Sequence, residues 1–304
     1  MSLLVVGSVA YDGIETPHGK RDRALGGSCT YISLAASNFT DIKIVAVVGD
    51  DFAPEDEALL VRNRIDLEGL ERAPGKTFYW AGVYSQDMND RTTIATDLNV
   101  FADFKPSLPE SYRRSPYAFI GNIHPGLQNQ VSGQLEGTRF VGGDTMNLWI
   151  DISRPELLET IRKWDFLLIN DGEARLLSGE SNLRKAAEKI LSMGPTTLVI
   201  KRGEYGAVLF RREGYFIAPG FLLQTVVDPT GAGDSFAGGF MGYLAAQGID
   251  DISFASHQHL RKAMIYGSVM GSFCCEMFGV ERLAAVTRDE IEARYREFKA
   301  FTEF

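Results

Sequence analysis

Asp228-Pro-Thr-Gly-Ala-Gly-Asp-Ser-Phe-Ala-Gly-Gly-Phe240 is the stretch of this 304-residue chain from which the rest of the fold can be worked out. An apolar segment ends at Val227, a glycine-rich turn follows, and a helix is predicted to begin near Gly233. Glycine lets the backbone come close to a phosphate, and the successive N–H groups of such a turn point at it. The positive end of the new helix also favours an anion. Gly231, Ala232 and Gly233 therefore predict an anion-binding loop.

The acid that follows this loop, Asp234, lies in the first turn of the predicted helix. Its carboxylate can accept a proton from an incoming hydroxyl group, which is the task of a general base. We expect the helix N-terminus to keep this carboxylate ionised, without raising its pKa. Phosphoryl transfer tolerates a weak base, because its loose transition state depends mainly on positioning and charge neutralisation. The simpler alternative is a tight strand-to-helix turn in which Asp234 is a structural cap.

Two better-known glycine-rich motifs do not fit this turn. A Walker A loop requires Gly-Lys-Ser/Thr, whereas the chain has Gly-Asp-Ser at 233–235. A Rossmann fingerprint would need its third glycine at the position of Phe236, and it belongs near the first strand of the chain. The turn therefore indicates phosphate binding of a different kind.

Upstream of this turn, short apolar runs alternate with helical patterns, which is typical of a doubly wound α/β fold. The runs are continuously hydrophobic, as expected for a mostly parallel central sheet that helices cover on both faces. The predicted strands are Leu3–Val9, Ile42–Val48, Ala118–Gly121, Leu148–Ile152, Phe166–Asn170, Thr197–Lys201 and Ala207–Phe210. The predicted helices include Ser28–Phe39, Pro155–Trp164, Asp171–Leu177, Leu183–Met193, Asp234–Gln247, His257–Phe278 and Arg288–Phe301.

Residues 11–25 and 77–101 break that alternation. The first segment is polar and interrupted by glycine and proline, and the second alternates apolar with polar residues. Both patterns predict short antiparallel strands, which would form a small sheet that covers the main sheet as a lid. The sequence contains no repeat, low-complexity tract or long linker. Residues 1–304 are therefore predicted to form one α/β domain with this lid.

The composition argues against several classes of function. A net charge of -9 argues against nucleic acid or an anionic membrane as a partner, since both need a basic surface. No apolar run approaches the roughly 18 residues of a membrane helix, and the N-terminus lacks a signal-peptide pattern. Three cysteines, Cys29, Cys274 and Cys275, match neither a disulfide framework nor a zinc site. We therefore expect a cytoplasmic protein.

From Asp228 to Met241 the chain resembles, without a departure, the C-terminal signature of the ribokinase-like (PfkB) carbohydrate kinase family. The resemblance extends over nearly the whole chain, because other landmarks of that family recur in the same order. It implies a ribokinase-like fold, ATP as the phosphoryl donor and Mg²⁺ at the phosphates. It also implies that residues 231–233 cradle the phosphoryl group and that Asp234 is the catalytic base. The family's monovalent-cation loop, which would hold K⁺, maps to Asp228 and Thr230.

A second landmark combines Asp12, which follows the first strand, with Gly26-Gly27 at the start of a helix. In the family both contact the sugar. A carboxylate can accept hydrogen bonds from two hydroxyl groups, and a di-glycine at a helix start makes room for a ligand. Taken alone, Asp12 would be interpreted as a turn residue.

Two further landmarks belong to the nucleotide side. Asn170-Asp-Gly-Glu173 ends a predicted strand, where α/β proteins bind ligands. It resembles the family's Asn-x-x-Glu, which organises Mg²⁺ and the phosphates largely through water. The alternative is a helix cap with a solvent-facing Glu173. Lys201, Gly203 and Gly206 belong to a turn that resembles the family's nucleotide-side turn. Its basic pair, Lys201 and Arg202, either neutralises phosphate or is part of an exposed turn.

The chain departs from the family on the substrate side. Where the family commonly has Asn after the di-glycine, this chain has Tyr31, which either contacts the substrate or packs on its helix. Asn147, which ends Asp144-Thr-Met-Asn147 at the entry to a predicted strand, is a further candidate for substrate binding. Aromatic residues in the predicted lid could stack on a nucleobase, form the lid core or line a dimer interface. They are Tyr11, Phe78, Tyr79, Trp80 and Tyr84.

These features predict an enzyme, an ATP-dependent kinase that transfers a phosphoryl group to a hydroxymethyl group of a sugar or sugar derivative. The alternative acceptor is a nucleoside, with the same chemistry. A distant alternative is a non-catalytic ligand sensor, against which the intact Asp234, Asn170 and Glu173 argue. Because the family commonly forms lid-to-lid dimers, a homodimer through the lid is a further expectation.

Overall fold

The computed structural model describes residues 2–252 and 255–303, in which helices pack around two β-sheets. The domain prediction for 1–304 also includes residues 1, 253, 254 and 304, which lie outside this described part. In chain order the strands are β1 (Ser2–Val6), β2 (Ala10–Thr16), β3 (Gly19–Gly26), β4 (Asp41–Val48), β5 (Ile65–Arg72), β6 (Phe78–Tyr84), β7 (Arg91–Asp97), β8 (Tyr117–Ile120), β9 (Phe140–Gly143), β10 (Phe166–Asn170), β11 (Thr197–Lys201), β12 (Ala207–Arg211) and β13 (Gly214–Ala218). The helices are α1 (Ser28–Ala36), α2 (Pro54–Arg62), α3 (Glu110–Arg113), α4 (Pro125–Ser132), α5 (Asn147–Ile152), α6 (Arg154–Ile161), α7 (Asp171–Ser178), α8 (Leu183–Leu191), α9 (Ala232–Ala246), α10 (His257–Cys274), α11 (Glu281–Ala285) and α12 (Arg288–Thr302).

The larger sheet has nine strands within the described residues, in the order β13-β12-β11-β10-β9-β8-β1-β4-β5. Every neighbouring pair from β5 to β11 is parallel, whereas β11–β12 and β12–β13 are antiparallel. The strand order reverses at β1, because β4 and β5 lie on one side of it and β8 to β13 on the other. The predicted doubly wound, mostly parallel fold is therefore confirmed.

The side chains of β1 alternate between two hydrophobic cores, one on each face of this sheet. Leu3 and Val5 belong to the core that includes residues of α1, α9 and α10, whereas Leu4 and Val6 belong to the core with α6, α7 and α8. Successive strand residues point to opposite faces, so a strand that is apolar at every position needs cover on both sides. None of the helices in the described part has the length and apolar content needed to cross a bilayer.

The smaller sheet, called the lid sheet below, has four strands in the order β3-β2-β6-β7. Each of the two segments predicted as a lid forms an antiparallel hairpin, β2–β3 and β6–β7. The hairpins join through β2 and β6, which are parallel rather than antiparallel. The chain returns to the large sheet between the two hairpins, and this long connection permits the parallel pairing. The predictions of a second small sheet and of antiparallel strands within each segment are confirmed, and the parallel pairing between the two hairpins is a feature that the sequence did not indicate.

One predicted strand is wrong, because Leu148–Ile152 lies in helix α5. An apolar run this short does not distinguish a strand from a helix by its periodicity. Within the helix Ile150 is buried, whereas Leu148 and Ile152 are 43% and 65% exposed. The strand that occupies this place in the sheet is β9, Phe140-Val-Gly-Gly143. Its two glycines have low strand propensity, so the sequence pattern did not reveal it.

Candidate active site

The carboxyl ends of three neighbouring strands bring polar side chains to one edge of the large sheet. β10 ends at Asn170 and β11 at Lys201, and these two residues are paired in the parallel register. β9 ends one residue before Asp144, which is buried. Open α/β sheets bind ligands at this edge. An amide, an ammonium and a carboxyl group therefore lie side by side at the expected position of a ligand.

The predicted anion-binding loop forms the start of α9. Gly231 is the N-cap residue, with a φ of 75°, a left-handed conformation that favours glycine. A Cβ atom at Gly231 would overlap the ring of Tyr31. The first amide groups of a helix have no intrahelical acceptor, and within the described chain no side chain caps α9. The amide of Ala232 donates a hydrogen bond of 3.1 Å to the carbonyl of Pro229, so the amides of Gly231 and Gly233 are the ones that an anion could use.

Lys201 extends its side chain over this loop. A Cβ atom at Gly233 would lie 2.8 Å from Nζ of Lys201, so the ammonium group is close to the loop backbone. Across residues 2–252 and 255–303, no carboxylate forms an ion pair with this lysine. The geometry favours the interpretation in which Lys201 neutralises phosphate over the interpretation of an exposed turn residue.

Gly203 and Gly206 shape the turn that follows Lys201. Their φ angles are 56° and 84°, and the amide of Arg202 donates a hydrogen bond of 2.7 Å to the carbonyl of Gly206. A Cβ atom at Gly206 would overlap the carbonyl oxygen of Ala218 in β13. Both glycines therefore have a structural reason to be there, and their contact with a nucleotide stays a prediction.

Asp234 lies in the first turn of α9 and is half-buried. Burial raises the pKa of its carboxyl group, and the positive charges of Lys201 and Arg91 offset part of that rise. The expectation that this pKa is not raised is therefore wrong, because the loss of solvent outweighs the favourable charges around the helix start. A raised pKa makes the carboxylate a stronger base, which suits the acceptance of a proton from a hydroxyl group.

Asp12 is buried in β2 of the lid sheet, next to the start of α1. Gly26 and Gly27 make room there, because a Cβ atom at the first would overlap the Asp12 carboxyl group and one at the second would overlap the backbone. Burial raises the pKa of Asp12 to about 7, and the negative charges of Asp228 and Asp234 contribute to the rise. Asp12 and Asp234 therefore lie near enough to influence each other, as two groups of one site would.

Tyr31 is almost fully buried on α1, with its ring against Gly231. Burial, followed by the negative charge of Asp12, holds the pKa of the Tyr31 hydroxyl well above its ordinary value. The phenol is therefore neutral and close to Asp12. Of the two interpretations of Tyr31, the recorded contacts favour packing, in which the ring supports the anion-binding loop from below.

Asn170 and Glu173 form a capping box at the start of α7. The side-chain oxygen of Asn170 accepts a hydrogen bond from the amide of Glu173, and Oε2 of Glu173 accepts one from the amide of Asn170, both at 2.8 Å. The helix-cap interpretation therefore accounts for these two bonds. Burial raises the pKa of Glu173 and the charge of Lys201 lowers it. The carboxyl group thus lies near the phosphate-side lysine rather than facing bulk solvent.

Asp144 begins the polar stretch 144–147 that the sequence places on the substrate side, and it is the buried acid of that stretch. Its Oδ1 is buried without a hydrogen-bond partner within the described residues, and burial together with the charge of Asp234 raises its pKa. Asn147 is exposed at the first residue of α5, and its role in substrate binding stays a prediction. The run Phe140-Val-Gly-Gly-Asp144, a short strand ended by an acid, is the signal that would have identified Asp144.

The carboxyl groups at this edge fit a magnesium ion whose coordination is completed by phosphate oxygens and water. In the part of the chain that the structure describes, no three His, Cys, Asp or Glu side chains surround a common metal position. Mg²⁺ usually keeps several waters and binds one or two carboxylates together with substrate phosphates. Glu173 and Asp144, the latter with its unpartnered Oδ1, are the carboxyl groups available for that role.

Asp228 and Thr230 belong to a loop that packs against the end of α10 and the turn after it. Oδ1 of Asp228 accepts a hydrogen bond of 2.9 Å from the Thr230 amide, and Oδ2 accepts one of 2.8 Å from the Gly279 amide. Asp228 is fully buried, and burial raises its pKa while hydrogen bonds alone act against that rise. A buried carboxylate without a positive partner is costly, so the loop fits a monovalent cation.

The lid sheet contacts the site at the end of β6, where Oγ1 of Thr230 donates a hydrogen bond of 3.0 Å to the hydroxyl of Tyr84. Asp12 pairs with Trp80 in the register of the lid sheet, and Tyr84 pairs with Arg91. Directly paired residues share a face of a sheet, as do alternate residues of one strand. Asp12, Trp80, Tyr84 and Arg91 therefore form one surface, called the site face of the lid sheet below.

The other predicted lid aromatics make packing contacts instead. The hydroxyl of Tyr11 donates a hydrogen bond of 2.6 Å to Oδ2 of Asp56 in α2. Tyr79 lies on the face opposite Trp80, where its hydroxyl overlaps the space that a side chain at position 13 would need. Phe78 stacks on Phe101, with the ring centroids 5.3 Å apart. For these three residues the contacts correspond to the lid-core interpretation.

Fold and site together define a class of protein, an α/β fold in which a glycine turn at a helix start, several carboxyl groups and a second, small sheet meet at one edge of the large sheet. Residues 3–285 match the model of the pfkB family of carbohydrate kinases. The chain belongs to this family, so the predicted membership is confirmed. It is accordingly a kinase, a phosphotransferase that acts on a hydroxyl group.

Relatives of this chain act on different acceptors. The cytidine kinase of Thermococcus kodakarensis is 28% identical over 258 residues, which cover 83% of this chain and 91% of that protein. Fructokinase-2 of Oryza sativa subsp. japonica is 31% identical over 125 residues, 41% of this chain and 36% of that protein. Among solved structures, Burkholderia thailandensis nucleoside kinase in complex with inosine has a TM-score of 0.79 at 24% identity, covering 99% of this chain and 98% of that one.

Proposed function

We propose that this protein transfers the γ-phosphoryl group of ATP to a hydroxymethyl group of a nucleoside. The observation that carries the proposal is the position of Trp80, directly opposite Asp12 on the site face of the lid sheet. A carboxylate beside an aromatic ring suits a nucleoside, whose sugar offers hydroxyl donors and whose base offers a flat π-face. A free sugar would use the carboxylate but leave the indole without a partner.

The lid sheet holds the indole of Trp80 in a fixed orientation. A Cβ atom at Gly82 would overlap the six-membered ring, so this ring packs directly on the strand. Trp80 remains half-exposed, which leaves part of the indole accessible from the site. A ring that is already held in place loses little entropy on binding, and stacking of a base on an aromatic side chain contributes about 1–3 kcal/mol.

The chemistry follows from the groups around the anion-binding loop. Asp234 takes the proton of the acceptor's hydroxymethyl group while the oxygen of that hydroxymethyl group forms a bond to the γ-phosphorus. The bond from that phosphorus to the β-phosphate oxygen breaks, which yields ADP and the phosphorylated acceptor. The loop amides and Lys201 stabilise the negative charge on the transferred group. Mg²⁺ supplies further charge neutralisation at the phosphates, with Glu173 and Asp144 as its protein-side ligands, directly or through water.

A monovalent cation, K⁺, completes the proposal at the loop of Asp228 and Thr230. The support for it is the buried carboxyl group of Asp228, which has hydrogen bonds but no positive partner in the described chain. Activity in potassium chloride is expected to exceed activity in choline chloride of equal ionic strength. Equal activity in the two salts would remove the cation from the proposal.

A panel of nucleosides and free sugars in an ADP-release assay tests the acceptor. At least one nucleoside is expected to have a kcat/KM about 10-fold or more above that of every free sugar. The difference corresponds to the free energy gained when the base stacks on Trp80. The second candidate is a free sugar, favoured by the 31% identity of the segment shared with Fructokinase-2. A free sugar that exceeds every nucleoside would contradict the nucleoside proposal.

Asp234→Asn tests the chemistry independently of the acceptor. We expect kcat to fall at least ~10²-fold, the usual effect of removing a positioned base, with ATP affinity largely kept. Asp289→Asn, a change at the first turn of α12, is the matched control and should keep full activity. Unchanged turnover in the Asp234 variant would eliminate the base. A wild-type protein that binds acceptors but turns over none would support a ligand sensor.

The cellular setting and the assembly are part of the proposal. The three cysteines of the described chain are free, which is consistent with the reducing cytoplasm. Strand β7 is an edge of the lid sheet and carries Ile94, which is 64% exposed, and such an edge can pair with a second copy. Light scattering is expected to give twice the chain mass of 33.6 kDa, and Ile94→Lys should weaken the dimer. A monomer at high concentration would contradict this assembly.

A further inference from the structure

A cavity of about 300 Å³ lies between helix α8 and the hairpin β12–β13 at one edge of the large sheet. In the register of β11 and β12, Lys201 pairs with Ala207 at the active-site edge, whereas Leu198 pairs with Phe210, which lines the cavity. Three residue steps along a strand correspond to about 10 Å. None of the lining residues belongs to the active site, so the cavity is a separate feature of the molecule.

One part of this cavity is apolar and aromatic. Ala187, Leu191 and Phe210 line it and are at most 9% exposed. Tyr215 pairs with Phe210 in the hairpin, with the ring centroids 6.0 Å apart, and is 57% exposed. Directly paired residues share a face of a sheet, so these two rings form one surface. An exposed tyrosine ring beside an apolar wall can stack on a flat ring of a ligand.

Another part of the cavity is cationic. Arg184 of α8 and Arg212 of the hairpin turn are both exposed and line the same cavity. Arg184 pairs with Glu188 at 3.2 Å, an exposed pair of the kind that contributes little to stability. Across residues 2–252 and 255–303, Arg212 forms no ion pair or hydrogen bond. In a protein with a net charge of -9, two such cations at one cavity favour an anionic ligand.

A third arginine in the lining, Arg211, stabilises the hairpin instead. Its side chain is 8% exposed, and its Nε lies 3.5 Å from Oε2 of Glu213. Its guanidinium group also donates a hydrogen bond of 3.2 Å to the carbonyl of Ala255, just before α10. The charge of Arg211 is therefore balanced within the hairpin, and the charge available to a ligand is that of Arg184 and Arg212.

We propose that this cavity is a second binding site, separate from the active site, for a nucleoside monophosphate. Two guanidinium groups match the charge of a phosphate monoester, about -1.5 to -2 at pH 7, and a guanidinium group can bind two phosphate oxygens at once. A carboxylate would need only one of them. The base stacks on Tyr215, against the apolar wall. The inference goes beyond the proposed function and does not depend on it.

The size of the cavity agrees with this class of ligand. Small-molecule sites have volumes of roughly 300–1,000 Å³, so a cavity of about 300 Å³ suits one small ligand. A nucleoside diphosphate or triphosphate is larger and carries more negative charge than Arg184 and Arg212 balance. A free sugar phosphate would use the two arginines but leave the ring of Tyr215 without a partner.

Calorimetry with AMP, CMP, GMP and UMP, in the absence of ATP, tests the proposal. For at least one of them, the double variant Arg184→Gln/Arg212→Gln should weaken binding at least ~10-fold, the effect of losing hydrogen bonds to charged groups. Arg261→Gln is the matched control and should keep the wild-type affinity. Arg261 is an exposed cation that lines a different cavity of the same hairpin, with its guanidinium carbon 5.2 Å from the Phe216 ring centroid.

Modification of arginine by phenylglyoxal, measured by mass spectrometry, locates the bound ligand. At about ten times its Kd, the monophosphate should slow the modification of Arg212 about tenfold, because only the free protein reacts. Arg261 should react at the same rate with and without ligand. Protection of neither arginine by any of the four monophosphates would overturn the site.

Two fragments of the ligand test its chemical class. The corresponding nucleoside and inorganic phosphate should each bind to the cavity at least ~10-fold more weakly than the monophosphate. Inorganic phosphate that protects Arg212 as well as the monophosphate does would overturn the part assigned to the base. If the double variant does not fold, as judged by its melting curve, Tyr215→Ala carries the test and should weaken binding about 5-fold or more.

The failure of this inference can be distinguished from the failure of the proposed function. Asp234→Asn is expected to stop turnover and to keep the protection of Arg212, and the double variant is expected to keep the wild-type kcat. A wild-type protein without kinase activity would contradict the proposed function and leave the binding test intact. Loss of kcat in the folded double variant would overturn the separation of this cavity from the active site.

Discussion

In the proposed reaction the anion-binding loop binds the phosphoryl group and the site face of the lid sheet binds the acceptor, and these two regions use different chemical groups. The loop presents the backbone amides of Gly231 and Gly233 with Lys201 above them, whereas the lid sheet presents the side chains of Asp12, Trp80 and Arg91. An amide group is the same at every position, so the loop depends on conformation. The lid face depends on which side chain each position carries. If the proposed function is right, backbone conformation sets phosphate binding and a few side chains of the lid sheet set the choice of acceptor.

The largest effect is expected from a change of conformation in the loop. Gly231→Ala should displace the loop amides, because a Cβ atom there overlaps the ring of Tyr31. We expect kcat to fall at least ~10²-fold, the usual effect of losing one hydrogen-bond donor to an oxyanion. Gly137→Ala is the matched control, since Gly137 has a φ of 66° and no atom near its Cβ position. It should cost only about 1–2 kcal/mol of stability. Similar kcat values in the two variants would break the comparison.

A charge change on the loop side should have the next largest effect. Lys201→Met is expected to lower kcat/KM for ATP by about 10- to 100-fold, which corresponds to the free energy of one hydrogen bond to a charged group. Removing this positive charge should also raise the pKa of Asp234, so the rise of kcat with pH should move to higher pH. Lys185→Met, on the exposed side of α8, is the control. Steady-state kinetics over pH 5 to 9 measures this shift. If the pH dependence of kcat is the same in the variant and the wild type, the charge of Lys201 does not affect Asp234.

On the lid side, Trp80→Leu should change binding and not transfer. The KM for a nucleoside is expected to rise about 5- to 100-fold from the loss of base stacking, with kcat and the KM for ATP almost unchanged. Tyr79→Leu removes an aromatic ring from the opposite face of the same strand and should leave the nucleoside KM unchanged. Equal effects of the two substitutions would mean that the lid aromatics act as sheet core only.

The smallest effect concerns the ionisation of Asp12. Its pKa in the folded protein is raised to about 7, so the carboxyl group is largely protonated at pH 6 and largely ionised at pH 8. Hydroxyl donors bind the ionised form better, so acceptor affinity measured by calorimetry without ATP should rise about tenfold between these pH values. Asp12→Asn should flatten this dependence, whereas Asp234→Asn should keep it. A flat profile in the wild-type protein would assign acceptor binding to other groups.

The strands of the large sheet show which parts of this fold a sequence pattern predicts and which it does not. β10 and β11 have the predicted bounds, and the apolar residues of runs such as Phe166-Leu-Leu-Ile-Asn170 are buried as the pattern predicts. β9 was missed because Gly142 and Gly143 weaken its pattern, although a Cβ atom at either one would overlap a neighbour in the core. The sheet requires small residues there for packing, and packing between distant segments leaves no local signal.

The site divides in the same way. Gly231 and Asp234 could be predicted because a phosphate loop at a helix start is a local structure that its own residues specify. The raised pKa of Asp234 could not, because the burial that causes it comes from segments far apart in the chain. The burial of Asp144 could not be predicted for the same reason, since segments far apart in the chain cause it.

By itself the sequence determined the α/β alternation, the glycine loop at a helix start and the acid beside it, because these depend on contacts within one short segment. Only the tertiary structure decided which charges face one another across the site. It brought Lys201 over Gly233, Tyr31 under Gly231 and Trp80 beside Asp12. Electrostatic and packing energies depend on distances in space, and the folded arrangement of the two sheets sets those distances.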